Sequence, residues 1–182
     1  MDCYTPEIGN PYPDRGWKEI TDFEYLVPLE LYRAAEALPA REGSDADYVV
    51  RRPYTVGFRL DGKLRRIIVP QGMLTDLASV PRIARSIVGR VGPHLEASIV
   101  HDYLYIAWQD MDGRGPRSGD RDFADELFKV SMKAAKVRFL QRQIIHRSVR
   151  AFGRGAYRRP NPGCRYVVIP EPQDGGVADE AA

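Results

Sequence analysis

Residues 98–108 read SIVHDYLYIAW, an apolar run that carries His101 and Asp102 side by side and Tyr105 one turn later. On a helical wheel at 100° per residue, Leu95, Ala97, Ile99, Val100, Tyr103, Leu104, Ile106, Ala107 and Trp108 cover most of the circumference. A helix that is apolar nearly all round is a buried one. The remaining arc holds His94, Ser98, His101, Asp102 and Tyr105, and Glu96 sits in the first turn, where an acid suits the helix dipole. A polar stripe on a buried helix needs partners, because a buried unpaired polar group costs roughly 1–3 kcal/mol. The stripe must face another side chain, water, a metal or a substrate.

The segment 119–136 offers the partner. Its apolar face is Phe123, Ala124, Leu127, Phe128, Val130, Met132, Ala134 and Ala135, and its polar face is Asp122, Glu126, Lys129, Lys133 and Lys136. Asp125 lies on the boundary, where a carboxylate is sheltered yet can reach a pocket. "DMDGRGPRS" (110–118) is loop by composition and joins the two helices. In an antiparallel hairpin His101 lies about 12 Å and Asp125 about 9 Å from the loop end, at 1.5 Å per residue. The two are nearly level, so a His–Asp pair across the hairpin is expected. The carboxylate would fix the imidazole tautomer and raise its basicity.

Outward from this pair, helices are expected over 93–109, 119–136 and 138–153, with Gly153 as a helix stop. Upstream, "YVVRRPYTVGFRL" and "KLRRIIVP" flank Asp61-Gly62 and read as a β-hairpin with a tight turn. Pro53 marks an edge position or a bulge. "PLELYRAAEALP" (28–39) reads as a short helix, "QGMLTDLASVPRIARSIVGRVG" (71–92) as a loop around Thr75-Asp76 and then a short irregular helix broken near Pro81, and "CRYVVIP" (164–170) as a last strand. The fold class is therefore α+β: a small N-terminal β-hairpin or sheet with a helical core. Residues 1–18 are expected to form an extended arm, 19–170 one domain, and 171–182 a flexible acidic tail. Tyr4, Tyr12 and Trp17 on the arm are either an interaction surface or packing.

The bulk properties set wide bounds. With 43% hydrophobic and 29% charged residues the chain is an ordinary globular sequence. Its 27 basic and 25 acidic residues nearly balance, which gives no support for a nucleic-acid partner. The arginines at 138, 142, 147, 150, 154, 158 and 159 read as a solvated face, or as a surface for an anionic partner. No stretch is long enough to span a bilayer, and the first residues lack a basic-then-apolar signal pattern. Cys3 and Cys164 are neither a disulfide framework nor a metal-ligand spacing. Packing is expected to supply the stability, in a reducing compartment, with one bridge between the ends left open.

Two resemblances add to this reading. "VPQGMLTDLASVPR", "HDYLY", "RDFADELF" and "SVRAFG", in that order over roughly 50–155, resemble domain of unknown function 1353, a family typical of tailed phages and prophages. The matching positions are Asp76, Ser79, Pro81, His101, Asp102, Tyr105, Asp125, Phe128 and Gly153. The resemblance implies a phage-encoded protein in the virion or the host cytoplasm, and it brings no activity.

More distantly, "HDYLY", "RDFADELF", "SM" and "VRAFG" are similar to the helical core of secreted, sn-2-specific bacterial phospholipases A. That resemblance implies His101 as the base activating water, Asp125 as its orienter, Asp102 as a calcium ligand and Tyr105 as a further hydrogen bonder. The glycine-rich calcium loop of those enzymes has no counterpart before His101, and their flanking disulfides are absent. "TDLASVP" would have to supply ligands through Asp76 and Ser79, and calcium takes six to eight oxygens.

Two functions from different classes follow. One is an ester or phospholipid hydrolase with His101, Asp125 and Tyr105 at its centre, Asp76, Ser79 and Ser98 lining the substrate pocket, and Asp102 available to calcium. The other is a phage structural or accessory protein in which the cluster is only core and the arm and tail contact other phage proteins. A metal phosphohydrolase built on the His-Asp pair fits poorly. Its separate upstream histidine would have to be His94, two turns earlier on the same helix.

Overall fold

The computed structural model describes residues 2–33, 48–75 and 92–169. Two small antiparallel sheets pack with three helices, the α+β arrangement expected. The first sheet has the order β1-β4-β5, from Ile20–Tyr25 (β1), Tyr54–Leu60 (β4) and Lys63–Val69 (β5). β4 and β5 are the hairpin read from the sequence, in register from Leu60↔Lys63 to Tyr54↔Val69. Asp61 and Gly62 both take positive φ, 49° and 78°, the conformation a two-residue hairpin turn requires. Tyr54, Val56, Phe58, Leu60, Ile67 and Val69 point into the core, while Leu64, Arg66 and Ile68 point out, so the alternation in the sequence becomes two faces.

The second sheet corrects two expectations. Its order is β2-β3-β6, from Leu31–Arg33 (β2), Tyr48–Val50 (β3) and Leu74–Thr75 (β6). The stretch 48–60 is therefore two strands in two sheets, and the break falls at Arg51–Pro53, where proline cannot donate a ladder hydrogen bond. Residues 31–33, expected in a helix, form a strand because β3 is there to pair with them. The rest of that expected helix lies outside the described residues, as do residues 76–91 of the expected loop and irregular helix; within that stretch Leu74–Thr75, expected as loop, pair with β3.

The three helices are α1 (Leu95–Ile106), α2 (Ser118–Ala134) and α3 (Phe139–Arg158). α1 runs on into a 3-10 turn, Ala107–Asp110. α1 is buried between the sheet and the other helices, as a helix apolar all round must be. α3 passes through Gly153 and continues to Arg158, so that glycine is not the stop the sequence suggested. The expected strand over 164–170 reduces to two single bridges, Cys3↔Val167 and Met73↔Tyr166.

Ahead of β1 the chain is extended but not loose. Tyr12 is fully buried; its hydroxyl donates to the Leu104 carbonyl at 2.6 Å and accepts from the Trp108 N–H at 3.1 Å. Tyr4 donates to the Gln71 carbonyl, and the Trp17 ring meets Phe123 edge-on at 6.0 Å. At Tyr12, packing is the reading that holds. Cys3 and Cys164 form a disulfide with Cα atoms 5.6 Å apart, so a covalent tie adds to the packing expected to act alone. No helix among the described residues is long and apolar enough to cross a membrane.

Candidate functional site

α1 and α2 bring His101 and Asp125 together at the level their spacing implies. His101 Nε2 lies 3.0 Å from Asp125 Oδ1, with His101 only 2% exposed and Asp125 fully buried. Tyr105, one turn on from His101, donates to the same carboxylate oxygen at 2.6 Å. The second oxygen, Oδ2, accepts from Arg121 Nε at 3.3 Å and lies 3.8 Å from the Arg150 guanidinium. Arg150 in turn pairs with Asp122. Asp125 is thus deeper than the boundary position read from its wheel, and it stays charged there because four groups face it. Burial alone would raise its pKa, but the hydrogen bond and charge of His101, with Tyr105 and Arg121, hold the carboxyl below its usual range. The same carboxylate, with burial as the larger cause, pushes the Tyr105 phenol up.

The imidazole is clamped as well as paired. Phe128 stacks on it at 4.5 Å and 27°, and the Tyr105 ring lies 4.2 Å away. With Nε2 engaged by an ionised carboxylate, that nitrogen is the donor, and in the neutral ring the lone pair is then on Nδ1. Nδ1 is buried and has no hydrogen-bond partner among the described residues.

Beside the ring is a cavity of about 700 Å³, in the range of small-molecule sites. α1 lines it with His101, Asp102, Tyr105 and Gln109, and α3 with Val149, Phe152 and Gly153. The segment after α3 adds Arg159, Asn161, Cys164 and Arg165, and β6 adds Leu74 and Thr75. α3 can lie this close because residue 153 has no side chain: a Cβ there would stand 2.5 Å from the Tyr105 hydroxyl oxygen. The far wall is fastened to the end of α1. The Asn161 N–H donates to Gln109 Oε1 at 2.7 Å, and Arg165 binds Asp110 and the Asn161 carbonyl. Tyr166 donates to Asp110 as well, and the disulfide anchors Cys164 itself.

Four of the residues singled out in the sequence, His101, Asp102, Tyr105 and Asp125, therefore sit at or directly behind one cavity wall. Asp102 accepts from the Thr75 hydroxyl at 2.8 Å. Ser98 is buried, and its hydroxyl donates to the His94 carbonyl one turn back, away from the lining residues. His94, at the N-cap of α1, is 2% exposed; its Nε2 has no partner among the described residues, and burial lowers its pKa. Asp76 and Ser79 lie outside the described residues. His146 is half-buried on α3, 3.6 Å from Glu126.

Asp102 and Thr75 supply one carboxylate and one hydroxyl to this wall. No group of three or more His, Cys, Asp or Glu side chains among the described residues gathers to hold a metal ion. Reading the sequence missed Arg121, Asn161 and Arg165, and named Arg159 only among the arginines of a solvated or anion-facing surface. Only Arg121 carried a signal, its i,i+4 spacing to Asp125.

Fold and site together define an α+β domain that holds a His–Asp pair across a helix hairpin, with a cavity on one side of the imidazole. The chain belongs to the family described as Protein of unknown function (DUF1353), whose model matches residues 53–149, just over half of its length. No curated protein and no solved structure matches it.

Proposed function

We propose that this protein is a hydrolase of esters, phospholipid esters among them, in which His101 activates water through Nδ1. One observation carries the reading: in a histidine that lines a cavity, Nε2 is held by a buried carboxylate while Nδ1 is buried and has no partner among the described residues. A water on Nδ1 would pass its proton to the imidazole as its oxygen attacks the ester carbonyl carbon. The imidazolium, stabilised by Asp125, would return that proton to the leaving alkoxide. Tyr105 and Arg121 keep Asp125 ionised and in place, and Phe128 keeps the ring plane fixed. Asp102 is the one carboxylate in the described cavity wall through which calcium would act, and the proton transfers themselves need only His101, Asp125 and water. The resemblance to a family of tailed phages and prophages supports a phage origin, with the virion or host cytoplasm as its place of action.

The test compares wild type with His101→Ala on short-chain esters and on phospholipid, each with and without calcium. Turnover in the wild type, reduced at least a hundredfold in His101→Ala, is expected. No wild-type turnover under any of these conditions would sink the hydrolase reading and favour the second one, a virion structural or accessory protein. That reading draws on a different observation. Phe139, Leu140 and Phe152 on α3 are all more than 60% exposed, which suits contact with other phage proteins.

A further inference from the structure

The cavity is chemically uneven. Leu74, Ile106, Val149, Phe152 and Ala156, from β6, α1 and α3, are its apolar lining residues. Its charged lining residues are Asp102, Arg159 and Arg165. Arg165 is already neutralised by Asp110, whose side chain is fully buried. Asp102 is engaged by Thr75. Arg159 differs from both: it is the first residue after α3, exposed, and its guanidinium makes no hydrogen bond or ion pair among the described residues. Its backbone N–H closes the helix on Gly155 and Ala156, which fixes where the side chain starts. Apolar lining residues, an unpaired cation and the His101 ring along the same cavity together describe a ligand. It would have an apolar chain, a reactive group within reach of His101 and a negative charge on the Arg159 side.

We propose that the cavity selects anionic amphiphiles, and that Arg159 is the residue that reads their charge while the α1–α3 wall holds the chain. The proposal rests on the hydrolase reading for its reacting group. It can fail or survive apart from that reading, because it concerns binding. An arginine suits either a phosphate or a carboxylate through its planar fork of donors. Arg158, next in the chain, is a matched control: it lies outside the cavity lining, on the side of Ser118 and Asp122.

The test is calorimetric titration of the whole chain with octyl phosphate, neutral octyl glucoside and inorganic phosphate. Wild type is expected to bind octyl phosphate at least tenfold more tightly than either of the others. Arg159→Gln should bring octyl phosphate to within about twofold of octyl glucoside, whereas Arg158→Gln should leave the preference intact. The preference is read on wild type whatever its turnover, so a wild-type preference without ester hydrolysis would refute the enzyme and keep this inference. Equal affinity for the charged and neutral amphiphiles, or binding of neither, overturns it. So does equal binding of inorganic phosphate, which would remove any role for the apolar lining, or an equal loss in the two arginine variants.

Discussion

At the scale of single residues, Gly153 shows how much of the site depends on an atom that is missing. Alanine is the better helix former, by about 1 kcal/mol in an open position. At 153 its Cβ would meet the Tyr105 hydroxyl, the group that bonds Asp125. Gly153→Ala is therefore expected to destabilise the protein by about 1–3 kcal/mol in urea unfolding. Gly155, two residues on in the same helix, has nothing within 4 Å of a Cβ. Gly155→Ala should stabilise by about 0.5–1 kcal/mol, and the same sign for both would contradict the contact. His94 makes a second case. Burial lowers its pKa in the folded protein, so the unfolded chain takes up a proton first. The stability tied to a neutral His94 is complete above the unfolded value, about 6.5, and drains away as pH falls from there through the lower folded value. His94→Gln should unfold with a urea midpoint that falls less between pH 7.5 and 5.5 than the wild-type midpoint does. Parallel declines would mean that His94 contributes nothing. The sequence put His101 and Ser98 on one stripe, but a wheel gives only an angle. It cannot tell a side chain that faces a cavity from one that bonds its own helix at i−4, which is what Ser98 does.

At the scale of elements, the α1–α2 pair was legible because both helices follow a 3.6-residue pattern and the loop between them is short. Level heights then followed from the rise per residue. The split of 48–60 into two sheets was not legible, since the residues on both sides of Pro53 read as strand and only the partner strands reveal the change. The arm's role was hidden for the same reason. Tyr12 is sealed into the core by a contact 92 residues away in sequence. There it does for the end of α1 what a helix cap does, taking the Leu104 carbonyl and the Trp108 N–H together. Tyr12→Phe leaves both groups buried and short of a partner, and a loss of about 1–3 kcal/mol in chemical unfolding is expected. Amide exchange at Trp108 should quicken in the variant more than exchange in the β4–β5 hairpin. Uniform acceleration would show that the hydroxyl acts only through global stability.

For the molecule as a whole, the cavity is assembled from distant parts. β6, α1, α3 and the segment 159–165 meet there, and the last of these carries no periodic signal that a sequence could offer. Its position is fixed by Asp110, Gln109 and the Cys3–Cys164 disulfide. Closing a loop of this size lowers the entropy of the unfolded chain by the equivalent of roughly 5 kcal/mol. Reduction with a dithiol should lower the thermal midpoint by many degrees. It should also raise proteolytic sensitivity around 159–165 before it affects the β4–β5 hairpin. An unchanged midpoint after complete reduction would mean that Asp110 and Gln109 hold the wall unaided.

The same bond has a topological consequence. Joining Cys3 to Cys164 makes a covalent ring of everything between them, with the His101–Asp125 hairpin inside it. A ring can be opened once and remain one molecule. A single backbone cut anywhere between those cysteines yields two pieces that still travel together until the sulfur link is reduced, with the cavity's far wall still tethered to the arm.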